Sequence, residues 1–233
     1  MEIKQSTRIQ TSLLNGVEKK ALVWLAERQP AWVTSDHLTF IGFLGAVIIA
    51  IGYVLTTKNI NWLWLSNFGF LVNWYGDSLD GTLARVRKTQ RPIYGFYVDH
   101  TVDAINECIM FIGAGYSALL NLPVAMIALI LYLLLSMNVN VNAHLKGEFK
   151  LTYAKLGPTE FRILMVIVNC LFLFVEPVRN FRVEREILGN PVSFGILDLV
   201  GIFIITVISI IYLVTIYTDA KGYAKIDPPK KKQ

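Results

Sequence analysis

Long uncharged stretches, separated by short charged segments, dominate the pattern of apolar and polar positions along this chain. Asp, Glu, Lys and Arg are absent from residues 37–57, 59–76, 108–145 and 199–218, which are 21, 18, 38 and 20 residues long. A helix needs about 20 mostly apolar residues to cross the roughly 30 Å hydrocarbon core of a bilayer, where no water is available to bond an open backbone. The pattern therefore predicts membrane-spanning helices.

Six spans account for the pattern, because a turn sequence at 120–123 divides the longest stretch and two further segments carry charges only near their ends. We place the spans near 38–57, 60–78, 94–119, 123–144, 158–177 and 193–218. Ahead of them, apolar residues recur at helical spacing among five Lys and Arg, which predicts an amphipathic helix in the headgroup region. The expected fold is an all-α integral membrane protein, with an amphipathic juxtamembrane helix over 1–35, six transmembrane helices over 36–218 and a basic tail over 219–233.

Composition and charge support this interpretation and orient the chain. Apolar residues make up 54% of the chain and charged residues only 17%, against about 25% charged in a typical soluble domain. Lys and Arg number five in 1–30, four in 85–91, three in 146–155 and five in 221–232. Because such residues favour the cytoplasmic side, both termini are expected there. The basic tail is expected to contact anionic membrane lipids and no nucleic acid.

Four aspartates stand out, because carboxylates are costly inside or at the edge of a membrane. Asp77 and Asp80 lie on one predicted helix, and Asp99 and Asp103 lie on the next, at spacings of three and four residues. Each pair therefore shares one helix face, and the short basic loop makes the two helices antiparallel neighbours. The four carboxylates are therefore expected to lie close together. Because they repel one another as anions, this arrangement requires cations between them. Hard oxygen ligands of this kind suit magnesium, manganese or calcium.

The motif also contains small residues and an arginine, and reads D-x2-D-G-x2-A-R-x9-G-x3-D-x3-D from Asp77 to Asp103. This string resembles the signature of the CDP-alcohol phosphotransferase family. The resemblance implies a homodimer in which an alcohol attacks the β-phosphorus of a CDP-linked alcohol and CMP leaves. It also implies that the four aspartates hold the metals at a cytoplasmic site. The positions implied to flank the nucleotide or meet its phosphate are Gly81, Ala84, Arg85 and Gly95.

The stretch from Ser35 to Thr39 resembles the family's Pro-Asn-x-x-Thr sequence but departs from it at Ser35 and Asp36, so Asp36 receives no role.

The acceptor alcohol must lose a proton, and two candidate bases are open. Asp103 is one, although a carboxylate committed to metals is a poor base. His100 is the other, with Glu160 as the group that orients it and makes it more basic. The Asp-His step at 99–100 and the Thr-Glu step at 159–160 resemble the choline and ethanolamine phosphotransferase branch, where such a pair serves as base.

Donor and acceptor remain open at this stage. One alternative is CDP-choline or CDP-ethanolamine with a diacylglycerol-like acceptor. The other is CDP-diacylglycerol with a small polar acceptor, and basic residues that could meet a sugar phosphate are Lys146, Lys150, Lys155 and Arg162. Two other functions are weighed against the transferase. An intramembrane prenyltransferase would place its acidic motifs far apart, and a cation transporter would need carboxylates along a path through the membrane.

Overall fold

The computed structural model describes residues 7–9, 14–146, 148–150, 157–187 and 189–229, with side chains at 14–145, 157–186 and 189–229. Helices account for most of these residues. They are α1 (Asn15–Glu27), α2 (Ser35–Leu55), α3 (Leu63–Arg87), α4 (Pro92–Gly115), α5 (Leu122–Lys146), α6 (Pro158–Phe174), α7 (Glu176–Asn180) and α8 (Ile196–Ile226), with a 3-10 turn at Ile60–Trp62. Four short strands are β1 (Thr7–Ile9), β2 (Glu148–Lys150), β3 (Val183–Ile187) and β4 (Asn190–Phe194).

Each of the six predicted spans overlaps one long helix, from α2 to α6 and then α8. Within the described residues, three helices are long and apolar enough to cross a membrane, namely Ser35–Leu55, Leu122–Leu145 and Ile196–Ile226. Of the other three, α3 and α4 carry more charged residues and α6 has only 17 residues, so the count of six spans stays a prediction. The chain is an integral membrane protein on the strength of the three apolar helices.

Two helices extend beyond the predicted spans. The sequence places the end of the second span at 78, whereas α3 continues to Arg87 and closes at Lys88, whose φ of 55° is left-handed. Helix-forming Leu, Ala and Arg residues continue the α3 pattern after the membrane-like segment ends. The aspartate pair of α3 therefore lies inside a helix. At the other end of the chain, α8 runs to Ile226, so the predicted tail begins as helix, and Lys230–Lys232 lie outside the described residues.

The four strands are the departure from an all-α fold. β3 and β4 form an antiparallel hairpin, and β1 pairs with β2 in parallel. In β4, Val192 and Phe194 are partly buried while Ser193 between them is exposed, and Gly189 occupies the turn with a φ of 79°. Alternation and a glycine with positive φ favour a hairpin over a helix. The predicted start of the last span, at 193, therefore lies in β4.

α2 and α3 approach each other closely because glycines line their contact. A Cβ added at Gly76 would lie 2.2 Å from the backbone nitrogen of Gly42, and one added at Gly45 would lie 2.3 Å from that of Asn73. Small residues allow such backbone approach between membrane helices. The Asn73 side chain also donates from Nδ2 to the Gly42 carbonyl over 2.9 Å. This contact fixes the position of α3, and with it the aspartate motif.

The N-terminal helix α1 packs on α3. Leu22 and Ala26 are buried on the same cluster as Leu79 and Leu83. The guanidinium of Arg87 donates to backbone carbonyls of the α1–α2 connection, at Gln29, Pro30, Ala31 and Val33. A helix thus occupies Asn15–Glu27 of the predicted 1–35 segment, whereas Thr7–Ile9 is a strand, and the position of the helix in the headgroup region stays a prediction.

A second polar network lies between α2, α3 and α6. The Tyr53 hydroxyl donates to Asn169 Oδ1 over 3.0 Å, and Asn169 Nδ2 donates to Asn67 Oδ1 over 2.8 Å. Asn169 is fully buried. Polar side chains within a membrane bundle stabilise it only when they find partners on neighbouring helices, as these do.

Candidate active site

Three of the four motif aspartates, from α3 and α4, converge beside α2, against which both helices pack. One carboxylate oxygen each from Asp77, Asp99 and Asp103 can be chosen so that all three lie within 4.8 Å of one another. α3 and α4 both pack along α2, with little direct contact between their backbones, so they are not the close neighbours that the sequence predicts, and the carboxylates meet through their side chains. Oxygens this close repel each other as anions and form a suitable donor set for a hard divalent cation.

Asp80 lies beside this cluster but is held by α2. Its Oδ2 accepts from the Thr39 hydroxyl over 2.7 Å, and its backbone carbonyl accepts from the Ser35 hydroxyl over 2.9 Å. Asp80 is not one of the three grouped carboxylates. Thr39 is thus a partner of the acidic motif that the sequence analysis did not assign, although the Ser35–Thr39 stretch had pointed to this place.

Arg162 of α6 completes the polar side of the site. Its guanidinium donates to Asp77 Oδ2, and its Nε donates to Asn73 Oδ1 over 2.9 Å. The side chain is only 15% exposed, so this pair is shielded from water. The sequence marked Arg162 only as one of four basic candidates. The side chains of the other three, Lys146, Lys150 and Lys155, lie outside the described residues.

Buried polar atoms without a hydrogen-bond partner lie next to the cluster. Within the described side chains they are Asn106 Oδ1, Glu107 Oε2 and Arg162 Nη1. Glu107 lies one helical turn beyond Asp103, and its carboxylate also pairs with the Tyr132 hydroxyl. A buried donor or acceptor left unpaired costs about 1–3 kcal/mol. A polar ligand or water that supplied both donors and acceptors would remove this cost.

Two of the four positions expected to flank the nucleotide, Gly81 and Gly95, lie beside open space. Gly81 and Gly95 are exposed; a Cβ at Gly95 would meet nothing within 4 Å, and one at Gly81 would meet only Arg85 Nη1 at 3.4 Å. Arg85 Nη2 donates to the Thr82 hydroxyl over 2.8 Å. Packing within the chain therefore does not require glycine at either position, in contrast to Gly76. Ala84 lies on the same face of α3.

The two members of the predicted base pair have hydrogen bonds of their own. His100 Nδ1 donates to the Phe96 carbonyl over 3.0 Å, and it lies 3.7 Å from Asp99 Oδ2. Glu160 is buried, and its two oxygens accept from the backbone nitrogens of Leu14 and Gly157 over 2.9 and 3.0 Å. These contacts give Glu160 a helix-capping role, and its orientation of His100 stays a prediction.

An apolar groove of about 830 Å³ runs along the outer face of α4. His100 lies on its wall, and the other wall residues are almost all apolar or aromatic. They include Phe96, Tyr97, Ile105, Cys108 and Leu133. The groove begins beside the aspartate cluster, because Asp99 and His100 are adjacent in the chain.

Asp36, which has no assigned role, pairs with the loop between α3 and α4. Both of its carboxylate oxygens lie 2.5 Å from Arg91 Nη2. Hydrogen bonding to this carboxylate raises the pKa of the Arg91 guanidinium. The pair is exposed, so its contribution to stability is small.

Comparisons with known proteins agree with the motif. The model of the CDP-alcohol phosphatidyltransferase family matches residues 32–217. The chain is also 34% identical over 85 residues to a phosphatidylinositol phosphate synthase of Cutibacterium acnes (strain DSM 16379 / KPA171202). That match covers 36% of this chain and 39% of the relative, so the chain aligns with well under two thirds of that protein. The family match spans most of the chain and confirms the resemblance: this protein belongs to the CDP-alcohol phosphatidyltransferase family, the membrane transferases of phospholipid synthesis.

Proposed function

We propose that this protein transfers the phosphatidyl group of CDP-diacylglycerol to a small polar alcohol that itself carries a phosphate, such as an inositol phosphate, and releases CMP. The observation that carries the proposal is Arg162, a shielded cation beside the aspartate cluster with Nη1 unpaired among the described residues. A guanidinium is well suited to bind a phosphate through parallel hydrogen bonds. The name of the Cutibacterium relative supports the same acceptor class.

The reaction exchanges a phosphoanhydride bond for a phosphoester bond. The acceptor hydroxyl oxygen forms a bond to the β-phosphorus, and the bond from that phosphorus to the bridging oxygen breaks. The bridging oxygen leaves with CMP, and the hydroxyl proton passes to a base on the protein. Positioning and charge stabilisation supply most of the catalysis in such phosphoryl transfers.

The carboxylate set fits two divalent cations, Mg²⁺ or Mn²⁺. Asp77, Asp99 and Asp103 supply closely spaced hard oxygens, and Asp80, held beside Thr39, is the proposed fourth ligand. When bound, these ions neutralise charge on the diphosphate and on the leaving group. The protein's own part is to hold the three aspartates close together and to place Arg162 beside them.

The nucleotide is proposed to bind over Gly81, Ala84 and Gly95, with Arg85 turned to its phosphate. The open space at these glycines supports this, because a ligand can approach the helix backbone there. The site lies at the ends of α3 and α4 joined by the basic 85–91 loop, which is the proposed cytoplasmic side. A cytosolic nucleotide could therefore reach it.

For a polar acceptor, Asp103 is the proposed proton acceptor, because it lies in the cluster with Asp77. His100 is the alternative, with Glu160 as the proposed orienting group. The Nδ1–H of His100 donates to the Phe96 carbonyl, so Nε2 is the atom with the basic lone pair. In either case the proton leaves the attacking oxygen as its bond to phosphorus forms.

A second candidate function is transfer from CDP-choline or CDP-ethanolamine to a diacylglycerol-like acceptor. The position of His100 favours it, because the histidine borders a groove wide and apolar enough for acyl chains. In this case His100 would take the proton from a lipid hydroxyl. The two functions therefore differ in the residue that serves as base.

The test is CMP release by the purified protein with Mg²⁺, from radiolabelled CDP-diacylglycerol or CDP-choline, with a panel of alcohols. We expect release with CDP-diacylglycerol and a phosphorylated polyol, little with unphosphorylated polyols, and none in Asp99→Asn. His100→Ala should retain most turnover, whereas Asp103→Asn should lose it. Release with CDP-choline and diacylglycerol that His100→Ala abolishes would establish the second function instead.

Absence of CMP release with every pair would contradict a transferase. Cation uptake by proteoliposomes and diphosphate release from prenyl diphosphates would then test the two remaining functions. The proposed homodimer is tested on the same preparation by its mass in detergent.

A further inference from the structure

One carboxylate of α1 bridges α3 and α6. Oε1 of Glu18 accepts from the indole nitrogen of Trp74 over 2.9 Å and from the Thr159 hydroxyl over 2.5 Å. Glu18 is half-buried between these helices. Hydrogen bonds to an ionised acceptor are about twice as strong as those between neutral groups. A single oxygen thus connects two helices through donors that are 85 residues apart in the chain.

The two donors of this bridge are each placed one helical turn before a residue of the site. Trp74 precedes Asp77 by three residues on α3, and Thr159 precedes Arg162 by three residues on α6. Residues three apart lie on neighbouring turns of the same helix face. The Glu18 bridge therefore joins α3 and α6 one turn away from the contact in which Arg162 meets Asp77.

A second contact ties the same helices together. The backbone nitrogen of Leu14, next to the start of α1, donates to Glu160 Oε1 over 2.9 Å. Glu160 follows Thr159, so the first turn of α6 contacts α1 at two successive residues. α1 in turn is packed on α3 through Leu22 and Ala26. The start of α6, which carries Arg162, is thus held in place by the N-terminal helix.

We propose that Glu18 is a positioning residue for acceptor binding, which sets the spacing of α3 and α6 so that Arg162 is aimed at the aspartate cluster. It touches neither substrate in this arrangement. The proposal rests on the proposed role of Arg162 toward the acceptor phosphate. Misplacement of a binding group by even 1 Å is costly for a reaction of this kind, so a bridge this near the site has kinetic consequences.

Three variants test the bridge. Glu18→Ala removes both hydrogen bonds, and Glu18→Gln keeps a carbonyl oxygen that can accept both. Glu27→Ala is the matched control, because Glu27 is exposed on the same helix. We expect Glu18→Ala to raise the acceptor KM about tenfold, while the donor KM stays within about twofold, as fits the loss of charge-assisted hydrogen bonds. Glu18→Gln should recover most of the loss, and Glu27→Ala should match the wild type.

A measurement without turnover separates this proposal from the proposed function. Mn²⁺ affinity, followed by electron paramagnetic resonance, should rise in Arg162→Gln, because a cation next to the carboxylates is removed. Glu18→Ala should also raise the Mn²⁺ affinity. The double variant, with Glu18→Ala and Arg162→Gln together, should have the same Mn²⁺ affinity as Arg162→Gln alone. If the wild type releases no CMP with any acceptor, the proposed function fails, whereas this comparison still decides the role of Glu18.

Equal acceptor KM and Mn²⁺ affinity in Glu18→Ala and the wild type would overturn the proposal. So would a parallel rise of donor and acceptor KM, which indicates a general distortion of the site rather than a selective effect on acceptor binding. If Glu18→Ala does not fold, Thr159→Val decides instead, because it removes one bond from the α6 side. A selective rise of acceptor KM in that variant supports the bridge, and unchanged kinetics overturn it.

Discussion

Replacement of Gly95 by alanine separates folding from ligand binding. The added Cβ would meet no atom within 4 Å, so the chain itself accommodates it. In a helix, alanine is favoured over glycine by about 1 kcal/mol, so Gly95→Ala should be as stable as the wild type or more stable. If the nucleotide approaches the α4 backbone here, the methyl group occupies space that the ligand needs. Such overpacking costs about 1–3 kcal/mol, which corresponds to a roughly 5- to 150-fold rise in the donor KM.

The assay pairs thermal unfolding in detergent with CMP release at varied donor concentration. Gly222→Ala is the control, because Gly222 lies in α8, also has nothing within 4 Å of an added Cβ, and is far along the chain from the motif. Both variants should unfold at or above the wild-type temperature, and only Gly95→Ala should change the donor KM. A donor KM within twofold of the wild type in a folded Gly95→Ala protein would refute close approach of the nucleotide to this backbone.

Three further changes test other contacts. Gly76→Ala should lower the unfolding temperature and turnover together, at a cost of about 1–3 kcal/mol, because its Cβ would lie 2.2 Å from a backbone nitrogen of α2; wild-type stability would contradict the close α2–α3 contact. Arg87→Ala should make the α1–α2 connection more susceptible to protease, because four backbone carbonyls lose their hydrogen-bond donor. Equal cleavage rates in the variant and the wild type would show that these hydrogen bonds do not hold the connection in place. Arg162→Lys should raise the acceptor KM about tenfold and leave the donor KM nearly unchanged, since a lysine cannot keep the contacts to Asp77 and Asn73 and still offer a further donor. An acceptor KM equal to that of the wild type would contradict a role of Arg162 in acceptor binding.

The motif helices are the part of the site that the sequence predicts well. Spacings of three and four residues place each aspartate pair on one helix face, and the grouping of Asp77, Asp99 and Asp103 agrees with that prediction, while α2 positions both helices. Local periodicity carries this information, because neighbours along a helix face are fixed by the helix itself. The extension of α3 to Arg87 is also local, since it depends on helix propensity.

Contacts between distant segments are not predictable in this way. Arg162 and Asp77 are 85 residues apart, and nothing in the spacing of either residue identifies its partner. The same holds for Glu18 and Thr159, and for Thr39 and Asp80. Such pairs depend on how the helices pack, and packing follows from shape complementarity over whole helix faces. The Ser35–Thr39 stretch pointed to the right place only through its resemblance to a family motif.

The Asn67–Asn169–Tyr53 network has a consequence for biogenesis. α6 carries Asn169, Glu160 and Arg162 and, at 17 residues, is shorter than the three helices that are long and apolar enough to cross a membrane. A helix with such residues enters lipid at a high free-energy cost until partners cover them. We therefore expect the translocation machinery to retain α6 until α2 and α3 are in place to receive it. Removal of Asn67 and Tyr53 would then appear first as failed membrane integration during synthesis, before any loss of activity in the mature protein.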